Sequence, residues 1–162
     1  MWLQGNDSAW RYEWLEPAPR SEEDSVSRPH VNEIYVAELG RKVPDRAGIW
    51  VADFFRTPAP VRGDGGGRPY YPPTVIWVDG DSGMILDTDM YAPGVGPFVV
   101  QERLLQLAER SRRLPEAIFV QREDVAEALR LSAERLGIVL HVEAKSPPLE
   151  DVKANLLRHL KR

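Results

Sequence analysis

There is no cysteine in the chain. That excludes disulfides and thiolate metal sites and makes the cytoplasm the natural expectation. No apolar run is long enough to span a bilayer, so no membrane association is expected. Basic charge is also in short supply: 21 Lys and Arg stand against 25 Asp and Glu, a net charge of −4. That balance argues against a dedicated nucleic-acid binder, which carries a basic footprint. The three histidines, His30, His141 and His159, are scattered. None belongs to a His-x-Glu or His-Glu-x-x-His motif of the kind that holds a catalytic metal. Met1 to Asp7 has neither the basic n-region nor the apolar h-region of a secretory signal. Ser82 and Ser132 lack the context of a nucleophile elbow, and no internal repeat is visible.

What is present has an ordinary globular composition. Hydrophobic residues make up 43% and charged residues 28% of 162 residues, a length suited to one domain. Residues 1–30 hold three arginines against six acids, and residues 98–162 hold twelve basic residues against ten acidic. Solvated helix faces account for so mild a tilt. Within residues 1–30, Trp2, Trp10, Trp14 and Tyr12 precede Pro17, Pro19 and a polar run from Ser21 to Ser27. The second half has the composition of a linker. The first half is too aromatic for that and is expected to dock, on its own body or on a partner protein. Trp2, Trp10 and Trp14 are therefore candidate partner-binding residues, and residues 31–162 read as a single α/β domain.

The chain is organised around Ile49-Trp-Val-Ala-Asp-Phe-Phe55. Its β-branched and aromatic side chains suit a pleated sheet, and a strand apolar on both faces needs cover on both. Asp53 interrupts it. A carboxylate cannot stay ionised in a dry core without partners, so either that side opens to water or Asp53 has a task. Before this strand, Val31 to Leu39 fits a short helix or a strand equally. After it, Val61 to Pro73 is a Gly- and Pro-rich loop without the Gly-Lys-Ser/Thr ending of a phosphate cradle. Thr74–Asp79 and Met84–Met90 form a hairpin over Gly80-Asp-Ser-Gly83. A calcium loop starting at Asp79 would need Glu at its twelfth position, where Met90 stands. Three amphipathic helices follow, alternating with strands at Ala117–Val120 and Ile138–Val142. Their inward residues are Val100, Leu104, Leu107 and Ala108; then Val125, Leu129, Ala133 and Leu136; then Leu149, Val152, Leu156 and Leu160. Gly137 sits where a helix C-cap belongs.

The order is three antiparallel strands, then two strands reached through helical crossovers, which makes the later strands parallel to a neighbour. With the Ile49 strand central, the result is a mixed five-stranded sheet covered by helices. Over about residues 49–162 this order resembles the ribonuclease H-like fold. The last sixty residues, with Leu-Pro-Glu-Ala-Ile-Phe-Val and a closing Leu-rich helix, are also similar to an uncharacterised bacterial domain family.

The first resemblance implies a two-metal nuclease site, with Mg or Mn ions held by acids from the first strand, the first helix, the end of the fourth strand and the last helix. Two ions about 4 Å apart need several carboxylates to neutralise them. Asp53 matches the first-strand position. Glu123 or Asp124 matches the end of the fourth strand, and Glu150 or Asp151 the last helix, although acids also favour a helix N-terminus through its dipole. The first helix offers only Glu102 and Glu109. At about 100° per residue these lie about 160° and 140° from Leu104, so both should face solvent. The resulting expectation is a non-catalytic ribonuclease H-like interaction or accessory module with no cofactor, working through another protein. The alternative is a divalent-metal nuclease using Asp53, Glu123, Asp124, Glu150 and Asp151, with Asp53, Asp124 and Asp151 as metal ligands. A further alternative is nucleic-acid binding without cleavage by the basic C-terminal half.

Overall fold

The computed structural model describes residues 2–4, 10–12 and 31–160. The elements in chain order are β1 (Trp2–Gln4), β2 (Trp10–Tyr12), α1 (Glu33–Lys42), β3 (Ile49–Arg56), β4 (Pro73–Asp79), β5 (Ile85–Met90), α2 (Val99–Ser111), β6 (Ala117–Val120), α3 (Glu123–Leu136), β7 (Val139–Val142) and α4 (Pro147–Leu160). β1 and β2 pair antiparallel as a separate two-stranded sheet.

The main sheet has the order β5-β4-β3-β6-β7, with β3 in the middle. β3 runs antiparallel to β4 from Trp50 opposite Asp79 to Arg56 opposite Pro73. On its other side it runs parallel to β6, from Ile49 opposite Ala117 to Ala52 opposite Val120. β7 extends the parallel side and β5 the antiparallel side. The central strand is thus buried on both faces, as a strand apolar on both sides but for Asp53 requires.

Alternation along β3 sorts its side chains between two cores. Trp50, Ala52 and Phe54 face the large core built with α1, α2 and α3. There the Trp50 and Trp77 rings meet edge to face, with centroids 6.1 Å apart, the arrangement their quadrupoles favour. Val51 faces the opposite way, into a smaller core of Ile76, Val78, Leu149 and Val152, with Phe55 and Phe119 packed against it. α4 supplies Leu149 and Val152 and lies across β3 and β4.

Val31–Leu39, which fitted two elements equally, contributes α1 and stays out of the sheet. Asn32 caps it by accepting a hydrogen bond from the Tyr35 amide at 3.1 Å. Val36 and Leu39, three residues apart, are buried on one side, a helical spacing no strand would use. α2 and α3 bury the residues their periodicity marks, including Leu104, Leu107, Leu129 and Leu136. Gly137 ends α3 at φ 67°, a conformation glycine adopts without steric cost. In α4, Leu149 and Val152 are buried, while Leu156 is only half-buried.

Two polar devices fix the antiparallel half. Arg103 of α2 grips Asp87 of β5 with a guanidinium fork, both hydrogen bonds being 2.7 Å, and Arg110 adds a contact at 3.2 Å. Asp87 is buried, so this charge-assisted pairing offsets its desolvation and ties α2 to an outer strand. In the β4–β5 turn, Asp79 accepts hydrogen bonds from the Ser82 amide at 2.8 Å, the Ser82 hydroxyl at 2.9 Å and the Asp81 amide at 3.1 Å. Gly80 is tightly approached: a Cβ there would lie 3.1 Å from the Ile49 carbonyl oxygen, so that strand would have to give way slightly.

The Ser82 amide, more than any other group, holds the Asp79 carboxyl below the usual carboxylate range; partial burial opposes it, and the Ser82 hydroxyl, the Asp81 amide and Arg113 assist. A carboxyl depressed in the folded state stabilises the fold above its unfolded value of about 3.9 and loses that contribution as pH falls through the folded value. Asp79→Asn is therefore expected to cost about 1 kcal/mol at pH 7, the difference between charge-assisted and neutral hydrogen bonding. Urea unfolding of the two proteins should converge as the pH is taken below about 4; a pH-independent gap would contradict this account of the turn.

Candidate functional site

In open α/β sheets, ligands collect at the carboxyl ends of the parallel strands. Here those are the ends of β3 and β6, with the first turns of α3 and α4 beside them. Asp53 lies on the α4-facing side of β3, between Val51 and Phe55 in the alternation. It is 2% exposed. That side of the strand does not open to water; what Asp53 meets there is a cation. The ammonium of Lys153, on α4, forms an ion pair with Asp53 Oδ2. The same ammonium lies 4.8 Å from the centroid of the Phe55 ring, within cation–π range. Asp53 Oδ1 is buried and has no hydrogen-bond partner among the described residues.

Lys153 escaped the sequence reading, yet its position carried a signal. Residues 149, 152, 153 and 156 follow the i, i+3, i+4, i+7 pattern of one helix face. Leu149, Val152 and Leu156 mark that face as inward, so a lysine among them must find a partner near the core. Its aliphatic stem follows the buried face and its head reaches Asp53, leaving the side chain 24% exposed.

The other predicted acids do not join Asp53. Asp124 pairs with Arg122, whose Nε donates to Asp124 Oδ1 at 3.0 Å and whose Nη1 donates to the Phe54 carbonyl at 2.7 Å. Glu123 is exposed and pairs with Arg130 at 2.9 Å. Glu150 is exposed and accepts a long hydrogen bond of 3.4 Å from Gln121. Asp151 is exposed at the start of α4. Glu102 points to solvent, as its helical angle requires, and accepts from Gln106 at 3.1 Å. Glu109 accepts from the Tyr35 hydroxyl at 2.8 Å, and that bond, more than burial, pushes the Tyr35 phenol up. Among the described residues, no three His, Asp or Glu side chains come together to hold a metal ion. A two-metal centre does not fit these residues, because a cation built into the chain already sits against the carboxylate that would anchor it.

His141 is an exposed sheet histidine, stacked on Phe119 with centroids 4.6 Å apart. His159 Nδ1 lies 2.9 Å from the Asn155 carbonyl. His30 and Trp14 lie outside the described residues. Trp2 and Trp10 sit in β1 and β2, opposite Tyr12 and Gln4.

Residues 36–157 match the model of a family described as a domain of unknown function, DUF6930. The chain belongs to the DUF6930 family. No curated protein matches this DUF6930 chain. Among solved structures, it is similar to a chain of the simian T-cell lymphotropic virus intasome in complex with PP2A regulatory subunit B56 gamma. The TM-score is 0.50 at 15% identity, covering 66% of this chain and 37% of that one. It is also similar to the catalytic core domain of BIV integrase, with a TM-score of 0.43 at 13% identity over 68% of this chain and 64% of that one. A pre-cleavage Mos1 transpososome gives 0.39 at 15% identity over 93% and 53%. The DUF6930 chain spans less than two thirds of the length of each. At these identities the likeness is one of fold: the DUF6930 domain is a mixed five-stranded ribonuclease H-like α/β domain. No helix among the described residues is long and apolar enough to cross a membrane.

The Asp53–Lys153 pair sets a stability prediction. Lys153→Met leaves Asp53 buried without its counter-ion, at an expected cost of about 2–4 kcal/mol, somewhat below the range for a fully buried pair because Lys153 keeps some water. The double change Asp53→Asn with Lys153→Met removes both charges and should recover most of the loss. Denaturant unfolding of the four proteins checks this, and additive single effects would contradict it.

Proposed function

We propose that this protein is a non-catalytic ribonuclease H-like module that acts by binding another protein. The observation that carries this reading is the Lys153 ammonium on Asp53. A nuclease of this fold would need that carboxylate free for a divalent ion and surrounded by others. Asp124, Glu123 and Glu150 are each engaged elsewhere, by Arg122, Arg130 and Gln121.

The outer strands support the binding half of the proposal. Next to and within β5, Met84, Ile85 and Met90 are exposed, and β7 exposes Val139 and Val142. Apolar side chains on the outer strands of a sheet are features that proteins otherwise avoid, and they mark surfaces that associate. The aromatic residues Trp2, Trp10 and Trp14 are a second candidate contact, since tryptophan is enriched at the centres of interfaces. The acidic net charge favours a protein partner over nucleic acid. The absence of cysteine suits a cytoplasmic setting.

Incubation with single- and double-stranded DNA and RNA in Mn²⁺ or Mg²⁺ should yield no cleavage above that of Asp53→Asn. Metal-dependent cleavage that disappears in Asp53→Asn would overturn the proposal in favour of a nuclease. Deleting residues 1–16 should leave a domain that unfolds at the same denaturant concentration but has lost its protein partner. A deletion that instead lowers stability by several kcal/mol would place the aromatic segment in the core.

A further inference from the structure

We infer that Lys153 is a built-in replacement for a divalent cation, and that α4 closes to metal a site that Asp53 would otherwise offer. This rests on the non-catalytic reading and states the physical device behind it. Three observations converge. Asp53 is 2% exposed, far too buried to hold a negative charge unaided. One of its oxygens takes the Lys153 ammonium while the other, Oδ1, is buried with no hydrogen-bond partner among the described residues. A carboxylate with one oxygen on a cation and the other idle has coordinating capacity that the lysine leaves unused. The third observation is location. Asp53 lies one residue past the last β3–β6 pair, Ala52 opposite Val120, and Gln121, the residue after Val120, meets Glu150 of α4.

The charge arithmetic explains why the replacement is stable. One ammonium balances one carboxylate without further acids, whereas a divalent ion on a single carboxylate leaves a positive charge that waters or a second acid must help to hold. Among the described residues, no group of three His, Asp or Glu side chains stands ready to share such an ion with Asp53. The lysine is also covalently tethered to a helix that Leu149 and Val152 anchor in the smaller core. A free ion must compete with a cation whose effective concentration is set by the fold. The native protein is therefore closed to Mg²⁺ and Mn²⁺ at this position, and one substitution on α4 opens it.

The test uses the full-length protein and Mn²⁺ as the probe. Lys153→Glu puts a second carboxylate beside Asp53, with Glu150 one turn away on the same helix. Its melting temperature should rise by about 4 °C in millimolar Mn²⁺, the size expected for a ligand present at several times its dissociation constant. The native melting temperature should stay unchanged under the same conditions. Asp53→Asn combined with Lys153→Glu should lose the response. Lys153→Ala is the second variant if Lys153→Glu does not fold; it should bind Mn²⁺ more weakly than Lys153→Glu but more tightly than the native protein, read by the loss of the free Mn²⁺ spin-resonance signal. The inference is overturned if neither lysine variant gains Mn²⁺ binding, or if the gain survives Asp53→Asn. It is also overturned if the native protein binds Mn²⁺ as tightly as the variants do. Cleavage activity is not the readout here. The non-catalytic reading fails on native cleavage, whereas this inference fails on the binding series.

Discussion

Asp53 and Lys153 meet across the interface between the central strand and the last helix, a hundred residues apart in the chain. Much of the smaller core depends on that meeting. α4 contributes two buried apolar side chains to it, Leu149 and Val152, worth roughly 1.5–3 kcal/mol each when fully buried. Leaving Asp53 without its partner would cost a comparable amount. The ion pair and the apolar contacts are thus of similar weight, and neither alone determines where α4 lies. Together they set the helix in one register on β3 and β4: a shift of one residue would carry Lys153 about 100° around the helix axis and away from the carboxylate.

The same constraint links fold to function. In this sheet, the carboxyl ends of the parallel strands are where chemistry is expected, and β3 delivers an acid there. What surrounds the acid decides the outcome. Lys153 neutralises it, Arg122 turns Asp124 toward itself while holding the Phe54 carbonyl, and Glu123 and Glu150 lie on the surface with partners of their own. The strands have a ribonuclease H-like arrangement, and the charges at the end of β6 are balanced within the chain. The likeness to an intasome chain supports the fold alone.

Much of the fold was legible in the sequence because its signals were local and redundant. The largely apolar run of β3, the Gly80–Gly83 turn and the 3.6-residue stripes of α2 and α3 each announced their element, and chain order with right-handed crossovers arranged them. α1 was harder, since Val31 to Leu39 satisfies both periods; Asn32 as a cap and the burial of Val36 with Leu39 decided it. The candidate site was legible only in part. Asp53 stood out as a charge in an apolar strand, and the outward angle of Glu102 was computable from helix geometry. Lys153 was missed because long charged side chains are read as solvent-facing by default. Its place on the inward stripe became meaningful only once α4 was known to cross β3 beside Asp53. The fork between Arg103 and Asp87 was missed for a similar reason, because pairing between a strand and a helix sixteen residues on depends on how the two are packed.

The most direct measurement is a crystal of the native protein soaked in manganese chloride and recorded at the manganese absorption edge. This account predicts no anomalous peak within bonding distance of Asp53, with the Lys153 ammonium seated on that carboxylate. A manganese ion bound to Asp53, with Lys153 swung aside and a second acid drawn in, would contradict it.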